Sequence, residues 1–421
     1  MGKTYILNQF SKEYKQSIYI NMIATTGSNF LKCLETATRW EPGDPQLEKP
    51  LHRALTLYDS EFRDSESTLV IIDEIQDSSI VYSKIREFSR DFRCDFVVTG
   101  SYLGKTKEKE YFLSAGDTET LTMTTLTFPE FLGACGKRKL YESIDLYGAD
   151  DHEYYDELQN LFQVYLHIGG YPEVVTTYLD GGDILACQNK VKELLRIFVR
   201  ESGRYFDSPL ELAAFDKVFA AIAVTLLKEK KGIKDLVVDL YSIIVKEDSG
   251  KITKKMVNYA ISWLYLSHQI GYCSKSIDYS NLDIIENCRY YFRDLGLANY
   301  FLNLTGADQE DIDGTLCENF VFLLLIERIQ KDEIAGLVPW FATDEKTGGE
   351  LDFYVRSLLD RKNYGLEVKR GRNTANTANS LLARGRLDYI YNLKNTYGGI
   401  EEPKYTVPLY LAGRIRFDLG K

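Results

Sequence analysis

Runs of consecutive apolar residues appear at several points in the chain, and near its C-terminal end they give way to alternation. In STLVIIDEIQD the run Leu69 to Ile72 is followed at once by Asp73 and Glu74. Four apolar residues in a row, bounded by polar ones, fit a strand buried on both faces, as in a parallel sheet covered by helices. CDFVVTGSYLG repeats the form, with Phe96 to Val98 leading into Thr99, Gly100 and Ser101, and SIYINM predicts a further strand with Asn21 at its end. Between these strands the period is helical: in VYSKIREFSRDF, Val81, Ile85, Phe88 and Phe92 share a face. From about 165 to 300 helical spacing dominates, as in NKVKELLRIFVRESGRYFD, where Val191, Leu194, Leu195, Phe198 and Val199 fall on one side. Gly169 to Pro172 read as a helix-breaking turn. In KITKKMVNYAISWLYLSHQIGYCSKS, Thr253 is placed to cap a helix whose Met256, Ala260, Trp263 and Leu264 face a core, before a short strand, IGYC. Alternation then takes over: in GGELDFYV, Glu350, Asp352 and Tyr354 face one way and Leu351, Phe353 and Val355 the other. In YGLEVKRG, Glu367 and Lys369 share one face and Leu366 and Val368 the opposite one.

At 421 residues the chain has room for two or three cores. With 44% hydrophobic and 27% charged residues it has the composition of a soluble protein, and its formal net charge of -11 excludes a global basic field for nucleic acid. The 7 cysteines show no CxxC spacing and the 4 histidines are scattered, which argues against a zinc site or disulfide framework and for reduced thiols in the cytoplasm. The longest apolar run, FVFLLLI at 320–326, is too short to span a bilayer, so no membrane partner is expected.

The chain opens MGKT, and GKT is the tail of the phosphate-binding loop GxxxxGK[ST], in which backbone N–H groups wrap the phosphates and the lysine reaches the outer ones. If Gly2, Lys3 and Thr4 belong to such a loop, an acidic strand end should follow, and Asp73 with Glu74 supplies it. Asp73 would hold Mg²⁺ through water and Glu74 would orient or deprotonate the attacking water. Hydrolysis needs both, because charge spreads over the transferred phosphoryl group while the water must be held in line. Ser101, at the tip of the next strand, is placed to sense the terminal phosphate. GKT alone, or an apolar run ending in Asp-Glu, is common; the combination in this order points to ATP.

Asp352, Glu367 and Lys369, on adjacent strands, would come together. This resembles the D(x)nExK constellation of restriction-endonuclease-like folds, in which carboxylates bind Mg²⁺ and the lysine positions or activates a water. By that resemblance Glu318, in GTLCENFVF, is the acid of an upstream helix. The plainer alternatives are a capping box formed by Thr315 and Glu318, and an exposed ion pair across the strands. Residues 361–421 hold twelve Lys and Arg against five Asp and Glu, an asymmetry that suggests a polyanion-facing surface.

Taken together, GKTYIL, LVIIDEIQ, VVTGSYLG, LTFPEFL, YLHIGGYPEVV, YYFRDLGLANYFL, GTLCENFVF, GGELDFYV and GLEVKRG resemble the prokaryotic AAA-type ATPases that carry a C-terminal domain of unknown function. The resemblance implies Lys3 and Thr4 as nucleotide and Mg²⁺ ligands, Asp73 and Glu74 as the acidic pair, Ser101 as the sensor position, and a winged helix around Thr253, where Lys251, Lys254 and Lys255 would touch phosphates or, in the plainer reading, only flank a packing element. Arg200 or Arg204 is a candidate charge for a phosphate, against a solvated helix face. Members of that family carry a strand and a loop of the kind GPRRxGKT ahead of this point, so Met1 would fall inside the loop and ATP would bind poorly. The expected fold is α/β throughout: a P-loop NTPase parallel sheet over 1–165, a helical and winged-helix connector over 166–300, and a restriction-endonuclease-like domain over 301–421. The expected function is ATP binding and hydrolysis coupled to a nuclease-like module. The alternatives are a Mg²⁺-dependent DNA nuclease regulated by the ATPase part, and a non-catalytic protein that binds DNA, RNA or a protein partner.

Overall fold

The apolar run of 69–72 becomes the most buried strand of the N-terminal part. The computed structural model describes residues 2–39, 49–100, 118–202, 209–228, 241–244, 253–277, 281–282, 288–344, 348–369, 376–396 and 398–421. The chain divides into two units, Met1–Met123 and Thr124–Lys421.

In the first unit, strands β1 (Gln16–Asn21), β2 (Thr68–Asp73) and β3 (Asp95–Val98) form a parallel sheet in the order β1-β2-β3. Every residue of β2 is buried. Alternation along the strands divides the packing. Leu69 and Ile71 meet Leu7 of helix α1 (Lys3–Phe10) on one face. Ile18, Ile20, Val70 and Ile72 meet α2 (Thr25–Thr38) and α3 (Pro50–Tyr58) on the other. The helical stretch at 81–92 is two short helices, α4 (Ser79–Tyr82) and α5 (Ile85–Asp91), yet the spacing holds: Val81, Ile85 and Phe88 are buried and Phe92 packs against them.

The second unit opens with α6 (Phe128–Ala134), started by a capping box between Thr127 and Glu130, and continues through α7 (Arg138–Ser143), α8 (His152–Ile168), α9 (Pro172–Leu179), α10 (Ile184–Ser202), α11 (Pro209–Lys228) and α12 (Lys254–Leu266). Then come β4 (Ile270–Ile277), β5 (Asn281–Leu282), β6 (Cys288–Phe292), α13 (Leu295–Asn303), α14 (Gln309–Gln330), β7 (Trp340–Thr343), β8 (Glu350–Arg356), β9 (Asn363–Lys369), α15 (Asn376–Ala383), β10 (Tyr389–Lys394), β11 (Gly399–Glu401) and β12 (Lys404–Pro408). The mixed sheet of 9 strands runs β11-β12-β10-β9-β8-β7-β4-β5, with β6 on β4. Pairs β7–β8 and β8–β9 are antiparallel and β10 is parallel to β9. Ala378 and Leu381 of α15 pack with Leu351, Tyr354 and Ile390.

Positions 165 and 300, the expected domain boundaries, lie inside α8 and α13. Phe128 of α6, Phe162 of α8 and Phe320 of α14 share one core, with ring centroids 5.3 Å (128–162) and 4.8 Å (162–320) apart, so helices from the first and third expected segments pack together. Around Thr253 the expected helix and hairpin are present: Thr253 Oγ1 accepts from the Met256 N–H at 3.3 Å, and β4 pairs antiparallel with β6. Ala260, Trp263 and Leu264 are buried as expected, together with Val257 and Ile261, while Met256 is half-buried. The hairpin is no isolated wing, because β4 also pairs parallel with β7 and so belongs to the large sheet. Lys254 and Lys255 are exposed; Lys251, Arg204 and Ser101 lie outside the described residues. Arg200 is exposed, as a solvated helix face requires. No described helix is long and apolar enough to cross a membrane.

The turn after α8 is tied to the start of α13 by one carboxylate. Asp294, 1% exposed, accepts from the Gly170 N–H at 2.9 Å and caps α13 through the Leu297 N–H at 3.0 Å. Burial raises its carboxyl above the ordinary range, and these hydrogen bonds oppose the shift. Gly170 is required here by space: a Cβ would lie 2.1 Å from the Leu126 carbonyl oxygen. Gly170→Ala is expected to cost at least about 2 kcal/mol, read as a lowered urea midpoint with an unchanged slope.

Candidate functional site

The first unit's candidate residues sit at the start of α1 and at the end of β2. Gly2, with φ 82°, is the N-cap of α1, and Lys3 is the helix's first residue. Burial pulls the Lys3 ammonium below the usual lysine range, while the charges of Glu74 and then Asp73 draw it back up. Thr4 is exposed. Asp73, 4% exposed at the end of β2, accepts a hydrogen bond from the Tyr19 hydroxyl at 2.5 Å, another from the Thr99 hydroxyl, and a third from the Glu74 N–H at 3.0 Å. Glu74 leaves the strand with φ 54° and ψ 44°, a left-handed turn uncommon for a residue with a Cβ. Its carboxylate accepts from Gln76 Nε2 at 2.6 Å. The turn is anchored to the next strand by Ile75 N–H to Thr99 O and Thr99 N–H to Ile72 O, each 2.9 Å.

Tyr19, Thr99 and Gln76 were not legible as site residues. Tyr19 stands between Ile18 and Ile20 like any strand aromatic, and only the strand tip at Thr99 hinted at its place. An ammonium and a helix N-terminus facing two carboxylates have the charges that a nucleotide with Mg²⁺ needs: cationic groups for the phosphates, anionic ones for the metal. The residues present fit that ligand.

The second site lies on β8 and β9. Lys369 Nζ is 3.0 Å from Glu367 Oε2 and 3.6 Å from Asp352 Oδ2, so the three residues meet as the alternation predicted. Asp352 Oδ2 also accepts the Val368 N–H at 2.7 Å. This is not the exposed pair of the plainer reading, since Glu367 is 2% exposed and its Oε1 has no hydrogen-bond partner among the described residues. Burial, then the Asp352 charge, raises its carboxyl from 4.5 to about 7, against the pull of Lys369. Burial lowers the Lys369 ammonium, but Asp352 and Glu367 outweigh it and set it above its usual value.

Glu318 does not close a capping box, because Thr315 and Glu318 both sit inside α14, where the Thr315 hydroxyl donates to the Asp311 carbonyl at 2.9 Å. Glu318 acts on the Lys369 charge as Asp352 and Glu367 do, but its direct partners lie on β6. It accepts from the Tyr291 hydroxyl and pairs with Arg289 Nη1 at 3.4 Å. Arg289 also pairs with Glu350 and lies 4.1 Å over the Phe341 ring. Among the described residues no group of three or more His, Cys, Asp or Glu side chains is placed to hold a metal ion. Each of the expected Mg²⁺ ligands is engaged by a cation: Arg289 pairs with Glu318, and Lys369 with Asp352 and Glu367. Arg289 and Tyr291 carried no signal in CRYYF, whereas Glu350 was visible as a residue on the Asp352 face.

Part of the basic excess of 361–421 is committed to contacts within the chain. Lys362 pairs with Asp388 at 3.0 Å, Arg384 with buried Asp344, Arg416 with Asp418 at 2.6 Å, and Arg414 donates to the carbonyls of Tyr141 (2.9 Å) and Ile144 (2.5 Å). Arg370 and Arg372 lie outside the described residues.

A three-stranded parallel sheet with a helix starting at Lys3 and a buried strand ending in Asp73 is P-loop-like. Residues 1–132 match the family model described as an AAA domain, and residues 159–308 match one described as a domain of unknown function, DUF8612. The chain thus carries an AAA-type P-loop ATPase domain at its N-terminal end, followed by a domain without assigned function. No curated protein matches it. Among solved structures it is similar to a Walker-type ATPase of Pyrococcus abyssi, at 16% identity over 71% of this chain and 87% of that one, with a TM-score of 0.41. It is also similar to the ORC2 protein of Aeropyrum pernix, solved as ADPNP-ADP complexes, at 16% identity over 75% and 84%, TM-score 0.33. The ORC1 protein of the same organism, solved in complex with DNA, aligns at 15% identity over 76% and 85%, TM-score 0.24. Superpositions this loose carry no argument about a ligand or partner.

The Glu367 shift has a measurable sign. Between its ordinary 4.5 and about 7 the folded state holds a proton that the unfolded state has released. Stability therefore falls as pH rises through that window and is fully recovered below it. Glu367→Gln should flatten this slope in urea unfolding followed from pH 4 to 8.

Proposed function

We propose that the N-terminal unit binds ATP with Mg²⁺ and hydrolyses it at Lys3, Asp73 and Glu74. The observation that carries this reading is the AAA-domain match over residues 1–132, which takes in both the helix start at Lys3 and the buried strand end at Asp73. Lys3 would hold the outer phosphates, with Gly2 and the first turn of α1 offering backbone N–H groups. Thr4 and Asp73 would hold Mg²⁺, which when bound neutralises charge building on the phosphoryl oxygens. Glu74, oriented by Gln76, would position the attacking water. Ser101 keeps its proposed role as sensor of the terminal phosphate.

A second reading concerns the C-terminal carboxylates: a restriction-endonuclease-like module that meets DNA or RNA. The order α14, three antiparallel strands, α15 and a strand parallel to β9 favours it, as does the meeting of Asp352, Glu367 and Lys369. A non-catalytic binding role would use the same surface. The free thiols of all the cysteines suit the reducing cytoplasm.

Isothermal titration with MgATP tests the first reading. A heat of binding that disappears in Lys3→Ala is expected, with Glu74→Gln retaining binding and losing phosphate release by about a hundredfold or more. No heat with the unmodified chain, or a heat indifferent to Lys3→Ala, overturns it.

A further inference from the structure

The C-terminal carboxylate site departs from its expected form in a specific way. Among the described residues four acids, Glu318, Glu350, Asp352 and Glu367, meet two cations, Arg289 and Lys369, which leaves these six groups short of positive charge. The acids are divided between the cations. Lys369 takes Asp352 and Glu367 on β8 and β9. Arg289, reaching in from β6 and 6% exposed, takes Glu318 of α14 and Glu350 of β8. Tyr291, two residues along the same strand, gives Glu318 a second hold through its hydroxyl. Two carboxylate oxygens stay without a hydrogen-bond partner among the described residues, Glu350 Oε2 and Glu367 Oε1, the latter on a side chain 2% exposed. A buried acceptor left open beside a deficit of positive charge is an incomplete coordination shell for a hard cation, which takes oxygen ligands.

We infer that Arg289 is a latch on this site: by holding Glu318 and Glu350 it keeps a divalent cation from being bound there, and releasing it opens the site. The inference rests on the second reading above for the class of ligand, and it adds a residue from the hairpin strand β6 as the control. Its physical basis is competition. Arg289 is neutralised by two carboxylates and supported by the Phe341 ring, so a divalent ion must either displace a buried guanidinium or make do with Asp352 and Glu367, between which Lys369 already lies. Removing the guanidinium frees two acids and lowers the local charge by one, and both changes favour a divalent ion.

The test is Mn²⁺ binding to the full chain without nucleotide, followed by the electron paramagnetic resonance of free Mn²⁺, with circular dichroism melts as a fold check. The unmodified chain is expected to bind at this site no more tightly than about 1 mM. Arg289→Met, which keeps an unbranched side chain over Phe341, should tighten binding by about tenfold or more, and adding Glu367→Gln should abolish the gain. Tyr291→Phe removes one hold on Glu318 without changing charge and should tighten binding about twofold to fivefold. A folded Arg289→Met protein with unchanged affinity, or a gain that survives Glu367→Gln, overturns the latch. Should Arg289→Met not fold, Tyr291→Phe decides: no tightening overturns the latch. If the tightened site cleaves neither DNA nor RNA, the latch stands and the nuclease reading falls.

Discussion

Charge folded out of water has to be answered by its immediate neighbours, and the C-terminal unit is organised by that demand. Arg289, Glu318, Glu350 and Glu367 come from β6, α14, β8 and β9, and the first and last are almost fully buried. Arg289 has no acid on its own strand, so α14 and β8 must supply Glu318 and Glu350 and are held to β6 by that need. The side-chain amide of Asn319, beside Glu318, donates to the Phe292 carbonyl at 2.8 Å and accepts from the Phe292 N–H at 2.9 Å, which fixes α14 to β6. Asp294, two residues further on, fixes the end of β6 to the turn after α8. Losing one member of such a buried group leaves its partners uncompensated, a penalty of about 3–5 kcal/mol. Polar junctions of this kind set the geometry that the aromatic packing of α6, α8 and α14 then fills.

The N-terminal unit answers a buried carboxylate differently. Asp73 is met by hydroxyls, Tyr19 from the strand on one side and Thr99 from beyond the strand on the other. These donors hold the acid in place without cancelling its charge, so attraction remains for a cation in front of it, and Lys3 feels it. Glu74 pays about 1 kcal/mol for its left-handed backbone, and in exchange its carboxylate leaves the sheet and meets Gln76. The paired acids are thus set in unlike surroundings, one sunk among hydroxyls and one at the lip of a turn.

What was legible in the sequence followed from period. The fully apolar Leu69 to Ile72 could only be a strand covered on both faces, and the alternation at 350–355 and 364–369 brought Asp352, Glu367 and Lys369 to one place. Illegible were contacts made across large separations by residues in ordinary settings. Arg289 in CRYYF reads as an isolated basic residue in an aromatic strand, and nothing local ties it to Glu318 and Glu350. The basic excess after 361 was visible, but composition cannot tell a guanidinium bound to carbonyls, as Arg414 is, from one facing water. The hairpin after α12 was visible, whereas its merger with β7 depends on pairing that no local pattern records.

Asn319 has a consequence beyond joining two elements. Strand β6 pairs with β4 and, among the described strands, with no other, so its outer side is a place where a foreign polypeptide might otherwise add itself to the sheet. By offering a donor and an acceptor to Phe292 together, one amide side chain counterfeits the backbone of an adjoining strand. The rung at Phe292 is thus occupied from within, and a foreign strand could not pair there without displacing the amide.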